Sequence, residues 1–372
     1  MKVAAIGPYR FSLADCVTGD ATQMRETVKA MRKLQDVDVS CYYYRNSKTL
    51  ITENGEEISW SELPLRCDVA HVYTNLPGWH DEVDAYLAKM PTLFSTVYWS
   101  NFFREYISVK NGTVVRYLLR SFEFVFRRLF GVKSHKISSW CLGILPNTWA
   151  EGNVFRSVHA LRKHAVCVPV PNAVALPPDL EHLERPDDVP EGDYIVCPGI
   201  FAPRKNQIAL VRAMKGSGLP IVFLGQKYEP VPSHYEKCVA EADENMYFLG
   251  HVPSNTKRYW AILKYARVAV LTSDCETPGI AMLEAALAGA RPAITIYGGT
   301  QEYFGIVAEY LNPYSTTHIR NAIETAWQRG RLMPQEAARF AHFSWDWTAA
   351  LTVRAYKQVI EIFNQYYASK ND

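Results

Sequence analysis

The sequence predicts an α/β chain built from two doubly wound parallel-sheet domains, and three observations carry that expectation. Short apolar runs alternate with longer stretches of helical spacing through both halves of the chain, the pattern of sheets whose strands are joined by crossover helices. A Pro- and acid-rich stretch at 173–193 (AVALPPDLEHLERPDDVPEGD) separates the halves and reads as a linker or surface excursion. The halves also differ in charge. Residues 1–172 hold 21 Lys/Arg against 16 Asp/Glu, a net of +5, and the remainder holds 19 against 22, a net of −3. A length of 372 residues suits two domains of ordinary size.

In the first half, 2–7 reads as a strand and 22–34 as a helix with Met24, Val28, Met31 and Leu34 at helical spacing. Strands follow at 37–44, 69–73 and 92–98. In the second half, strands are expected at 194–198, 220–224, 246–249, 268–272 and 293–296. Helices lie between them, the first at 207–214. The final run to Tyr367 is amphipathic, with Leu351, Tyr356, Val359, Ile360 and Phe363 on one stripe.

Composition narrows the function classes. With 48% apolar and 21% charged residues, disorder, collagen and coiled coil are excluded as the main architecture. A formal charge of +2 is too small to point to a nucleic-acid partner. The 22 Tyr and 9 Trp suit sugar or interface binding as well as ordinary packing. The eight cysteines contain no Cys-x-x-Cys pair, and Met1-Lys2 runs straight into a strand-like Val-Ala-Ala-Ile-Gly. We therefore expect free thiols in a reducing cytosol. No apolar run approaches the ~18 residues of a membrane span, so the chain is expected to be soluble or peripheral.

Ligands of doubly wound sheets bind at the carboxyl ends of strands, so function is sought in the loops that follow strands. The most informative segment is LTSDCETPGIAMLEAALAGA at 271–290. A strand runs into a polar loop carrying Glu276, then Pro278 and Gly279 lead into a helix carrying Glu284. The N–H groups of Gly279, Ile280 and Ala281 at that helix start form an anion site, and Gly279 permits close approach of a phosphate. The plainer reading is a solvated loop acid and an exposed helix acid. A second segment, PGIFAPRKN at 198–206, places Arg204 and Lys205 in the expected first turn of a helix. Cations are disfavoured there, which suggests an anionic ligand that offsets the cost; the plainer reading is two solvated surface bases. Two further loops, YGGTQEY at 297–303 and PYRFSLADCVTGDATQ at 8–23 with Gly19, also lead from strands into helices.

These segments together resemble the retaining nucleotide-sugar glycosyltransferases of glycosyltransferase family 4 (glycosyl transferases group 1), which have the GT-B fold. The matching pieces are PRKNQ at 203–207, FLGHV at 248–252, Glu276-x7-Glu284 followed by AALAGARPAI, GGTQE at 298–302, FSW at 343–345 and VPNAV at 170–174. The likeness is strong over 194–367 and weaker over 1–172. It implies an N-terminal acceptor domain (1–172), a C-terminal donor domain (173–346) and a closing helix (347–372) that crosses back to the first domain. It also implies roles for particular residues. Lys205, with Arg204 beside it, and the N–H groups of Gly279, Ile280 and Ala281, after Pro278, would hold the donor diphosphate. Glu276 would accept hydrogen bonds from the transferred sugar. Glu284 would hold the ribose hydroxyls, and backbone groups at His251 and Val252 would contact the base. Gly19 would let the first loop approach the phosphates. Neither a metal nor any other cofactor is implied; the partners are a nucleoside-diphosphate sugar and a glycan, lipid-linked or surface-polysaccharide acceptor.

The chain departs from the family pattern twice. Ile200 and Phe201, not an arginine, follow Gly199, and no histidine stands in STVYWSNFF at 95–103, where Tyr98, Trp99 or His71, read as the end of an earlier strand and more often simply hydrogen-bonded in place, would have to serve. Other signals are set aside. Asp36-Val37-Asp38 resembles a metal-binding Asp-x-Asp but falls between a helix and a strand, as turn chemistry. His159 and His164 lie five apart, off the metal-binding helical spacing. Neither a dinucleotide nor a Walker-type glycine motif is present. Residues 101–143 hold eight Lys/Arg against two acids among many aromatics. That segment reads either as a domain helix with exposed arginines or as a peripheral membrane contact. The function expected is retaining glycosyl transfer in the cytoplasm or on the inner face of a membrane. A nucleotide-sugar epimerase of the same fold and a catalytically silent sugar-binding protein are the alternatives.

Overall fold

The computed structural model describes residues 1–13, 19–44, 48–73, 81–97, 137–175, 177, 179–229 and 231–368. The expected strand at 92–98 is described to residue 97, and Tyr98, Trp99 and residues 101–136 of the basic segment lie outside the described residues. The chain forms two compact units, Met1–Asn172 with Trp345–Asp372, and Ala173–Ser344.

The first unit contains an eight-stranded sheet of β1 (Lys2–Pro8), β2 (Asp38–Tyr44), β3 (Thr49–Thr52), β4 (Glu57–Ser59), β5 (Val69–Tyr73), β6 (Thr92–Ser95), β7 (Gly143–Leu145) and β8 (Val166–Cys167), in the order β4-β3-β2-β1-β5-β6-β7-β8. All pairs are parallel except β2–β3 and β3–β4. The β3–β4 pair is missing from the sequence expectations, although Asn54-Gly55 announces a hairpin turn. Gly55 takes φ +84° there. The helix Gly19–Met31 contributes Met24, Val28 and Met31 to the same core as Tyr356, Val359 and Phe363 of the closing helix Trp345–Tyr366.

The second unit is a wholly parallel sheet of β9 (Ile195–Pro198), β10 (Ile221–Leu224), β11 (Met246–Phe248), β12 (Val268–Leu271), β13 (Arg291–Thr295) and β14 (Glu309–Leu311). Its order is β11-β10-β9-β12-β13-β14. Helices cover both faces, so β9, β10 and β12 are buried at every position. This is why they read as continuous apolar runs instead of alternating ones. One core gathers Leu271, Met282, Leu283 and Phe304, the other Cys197, Phe223, Val270 and Ile323. Edge strand β14, reading only Glu-Tyr-Leu, is too short and too polar to show as a strand in the sequence.

Candidate functional site

In the second sheet, β9 continues to one side through β10 and β11, and β12 continues to the other through β13 and β14. The strand order reverses between β9 and β12. At such a switch point the loops leaving the carboxyl ends diverge and open a crevice. Lys205 follows β9 and Glu276 follows β12, so they come from the two sides of that point.

The two side chains meet. Lys205 Nζ donates to Glu276 Oε1 at 2.5 Å, and Ser273 Oγ donates to the same oxygen at 2.5 Å. Both side chains are largely buried, at 13% and 7% exposed. Glu276 is therefore not a solvated loop acid. Burial pushes its carboxyl up, but the Lys205 ammonium, the Arg204 guanidinium and the two hydrogen bonds outweigh it and hold the group below the ordinary value. Burial lowers Lys205, with Glu276 opposing and Arg204 assisting.

Local backbone chemistry sets this geometry. Arg204 and Lys205 do not occupy the first turn of a helix, as the sequence suggested. They form a separate 3-10 turn, Pro203–Lys205, divided from the helix Gln207–Met214 by Asn206 at φ 52°. Asparagine tolerates that left-handed conformation, which breaks the helix before it can include them. The turn is tied to the neighbouring loop: Asp274 N–H donates to the Arg204 carbonyl at 2.9 Å, and Thr272 Oγ1 to the Asn206 carbonyl at 3.0 Å. Arg204 itself is exposed.

The loop after β13 clamps the other side of Glu276. Glu276 N–H donates to the Tyr297 carbonyl at 3.2 Å, and Gly299 N–H donates to the Glu276 carbonyl at 3.0 Å. Gly298, at φ +109°, lies so close that a Cβ there would sit 2.1 Å from the Glu276 carbonyl oxygen. Only glycine fits the position.

Past a cis Thr277-Pro278 bond, buried Pro278 leads to Gly279 at φ +82°, which opens the helix Ile280–Leu287. The first helical bonds run from the N–H groups of Met282 and Leu283 to the Gly279 carbonyl, at 2.8 and 3.2 Å. The N–H groups of Gly279, Ile280 and Ala281 have no acceptor among the described residues. They form a donor cluster beside the Lys205–Glu276 pair in sequence and topology, suited to an anion.

Glu284 lies on the same helix, 7% exposed. Its Oε2 accepts from the Tyr259 hydroxyl at 2.6 Å. Burial pushes its carboxyl up to about 7, with the Tyr259 hydrogen bond opposing. The two glutamates thus differ in charge balance: one is held ionised by a cation, the other sits near neutrality without one. Sequence reasoning missed both Ser273 and Tyr259. Ser273 lies three residues before Glu276 and was within reach of inspection. Tyr259 is 25 positions from Glu284, and no motif links them.

His251 is exposed just beyond β11. Val252 turns its side chain into the core, leaving its backbone as the polar part. In the first unit, exposed Gly19 is the first residue of its helix. His71 does not end a strand. It sits inside β5, 1% exposed, bonded to the Tyr356 hydroxyl at 2.7 Å and the Ser95 hydroxyl at 2.8 Å. Burial lowers it to about 3, so it is a neutral core group. His159 stacks on Phe155 and His164 on Tyr366. Among the described residues, no three His, Cys, Asp or Glu side chains are gathered to hold a metal ion, and no helix is long and apolar enough to cross a membrane.

Residues 182–326 match the family described as glycosyl transferases group 1. No curated protein matches the chain. Among solved structures, a sucrose-phosphate synthase from Thermosynechococcus elongatus is 16% identical, with 99% of this chain and 100% of that one covered at a TM-score of 0.60. A glycosyltransferase from Rickettsia africae is 12% identical, covering 97% and 98%, with a TM-score of 0.64. The Anabaena protein HepE, solved in complex with UDP and glucose, is 12% identical, covering 98% and 100%, with a TM-score of 0.56. The chain therefore has the GT-B fold of these structures, and the stretch that holds Lys205, Glu276 and Glu284 lies within the residues that match the glycosyl transferases group 1 family.

Proposed function

We propose that this chain transfers a sugar from a nucleoside-diphosphate sugar to an acceptor hydroxyl, with retention of anomeric configuration and without a metal. The observation that carries the reading is the buried Lys205–Glu276 pair at the switch point, followed within a few residues by the N–H groups of Gly279, Ile280 and Ala281.

In this reading, Lys205, Arg204 and the three N–H groups receive the diphosphate. Breaking the sugar–phosphate bond places charge on that leaving group, and fixed cations and helix donors stabilise it without reorganising. Diphosphate binding draws Lys205 toward phosphate and releases a Glu276 oxygen to the hydroxyls of the transferred sugar. The same carboxylate favours the oxocarbenium-like sugar centre electrostatically. The acceptor attacks from the leaving-group face, and a phosphate oxygen takes its proton. Glu284 holds the ribose, and the backbone at His251 and Val252 meets the base. The acceptor is a glycan or a lipid-linked sugar in the cytoplasm. Peripheral membrane contact would fall to 101–143, of which 101–136 lie outside the described residues.

A thermal-shift panel of UDP, GDP, ADP, TDP and CMP sugars, run with and without EDTA, tests the reading. A nucleotide at ~100 times its Kd adds roughly 2.7 kcal/mol of stability. One nucleotide that stabilises the chain equally with EDTA is the expected result. A flat panel would overturn the reading. UDP sugars come first, because HepE was solved with UDP and glucose.

A further inference from the structure

Glu276 and Glu284 are both buried carboxylates, but their oxygens are held differently. Glu276 Oε1 is fixed by two donors, one of them a cation. Glu284 has no cation within ion-pair distance among the described residues. Its single described side-chain hydrogen bond comes from the Tyr259 hydroxyl, on Oε2, and Oε1 accepts none from a described residue. A glutamate side chain has three rotatable bonds. Without an anchor it would have to order itself whenever a ligand arrived.

Tyr259 is built to be such an anchor. It is 5% exposed and belongs to the core of the second unit. Its N–H donates to Thr256 Oγ1 at 3.2 Å, and Thr256 Oγ1 donates in turn to the Pro253 carbonyl at 2.7 Å, which fixes the start of the helix Lys257–Tyr265. Its ring lies edge-on to Trp260 at 6.1 Å. The hydroxyl is thus presented from a rigid first turn, and tyrosine at this burial stays protonated and donates.

We propose that Tyr259 is a positioning residue for the nucleotide site. It locks one oxygen of Glu284, so that the remaining acceptor capacity of the carboxylate faces the vicinal hydroxyls of a ribose, and the chain thereby distinguishes ribonucleotides from deoxyribonucleotides. The inference rests on the reading of Glu284 as the ribose holder. A carboxyl group keeps acceptor positions on its oxygens, about four when it is ionised. With one occupied by Tyr259, the free oxygen is preset for a diol. A ligand lacking a hydroxyl leaves a buried acceptor unpaired, and sites built on buried acceptors reject such analogues strongly.

The test uses the full chain and calorimetric binding of UDP, GDP and ADP, followed by the 2′-deoxy counterpart of whichever binds best. Wild type should prefer the ribonucleotide by at least about tenfold. Tyr259→Phe keeps the ring and removes the donor. It should weaken the ribonucleotide about tenfold and leave the deoxy analogue within about twofold, collapsing the preference. Glu284→Asp keeps the charge but withdraws the carboxylate by one methylene from the hydroxyl, and should collapse the preference in the same way. If Tyr259→Phe weakens both ligands equally, or leaves the preference intact, Tyr259 merely packs and the inference is overturned. If wild type shows no preference at all, it is the ribose role of Glu284 that fails, and the inference falls with it.

Discussion

Replacing Glu284 with glutamine separates what this carboxyl does for the fold from what it does for a ligand. Burial moves the group from 4.5 to about 7. One pKa unit corresponds to about 1.4 kcal/mol, so the move is worth roughly 3 kcal/mol. The direction follows from linkage: the folded state holds a proton that the unfolded state has released. The stabilising contribution is therefore complete below about 4.5 and is lost as pH rises to about 7 and beyond. Glutamine has nearly the same shape, keeps a carbonyl to accept the Tyr259 hydroxyl, and never ionises. Urea unfolding of both proteins at pH 5 and pH 8.5, followed by circular dichroism, measures the difference. Glu284→Gln should gain on wild type by about 2–3 kcal/mol between the two pH values, because part of the effect is already spent at pH 5. Nucleotide affinity should fall in the same variant. A stability difference that does not change with pH would show that Glu284 is not held near neutrality by burial, and the reasoning would fail.

The remaining predictions concern the ion pair and its clamp. Lys205→Ala should cut transfer by ~10²-fold or more and cost about 3–5 kcal/mol of stability, because it leaves Glu276 buried with its cation removed. Adding Glu276→Gln to that variant should recover much of the stability in urea titrations while transfer stays lost. Gly298→Ala puts a methyl group 2.1 Å from the Glu276 carbonyl at a φ of +109°. It should displace the Glu276 loop and lower kcat more than tenfold, while the far-UV spectrum stays native; an unaffected kcat would mean that the loop after β13 does not position Glu276.

Much of this molecule was legible in its residues. The strands of the second unit are sandwiched between helices, so their apolar runs stand out. Gly298 marks a turn that brings backbone against backbone, and Gly279 a positive-φ turn beside the Leu271 and Glu276 side chains. The Glu276-x7-Glu284 spacing led to the loop that pairs Glu276 with Lys205 and to the helix that carries Glu284. Other features left weaker traces. His71 read as a strand-end residue because local patterning does not say where a strand stops; β5 runs on to Tyr73 and His71 is buried against Tyr356. Arg204 and Lys205 looked helical because the left-handed turn at Asn206 is a single-residue event.

By itself, the amino-acid sequence determined the α/β class, the parallel strands, the glycine-bearing turns and the segments that hold the candidate chemistry, because each of these is governed by periodicity or local backbone sterics. Tertiary structure alone decided how the charges are balanced. Lys205 meets Glu276 across 71 residues and Tyr259 meets Glu284 across 25. Strand order brings β9 beside β12, and helix packing turns one glutamate toward a cation and the other toward a phenol. Burial and partner are properties of that packing, and they hold one carboxylate ionised and the other near neutrality.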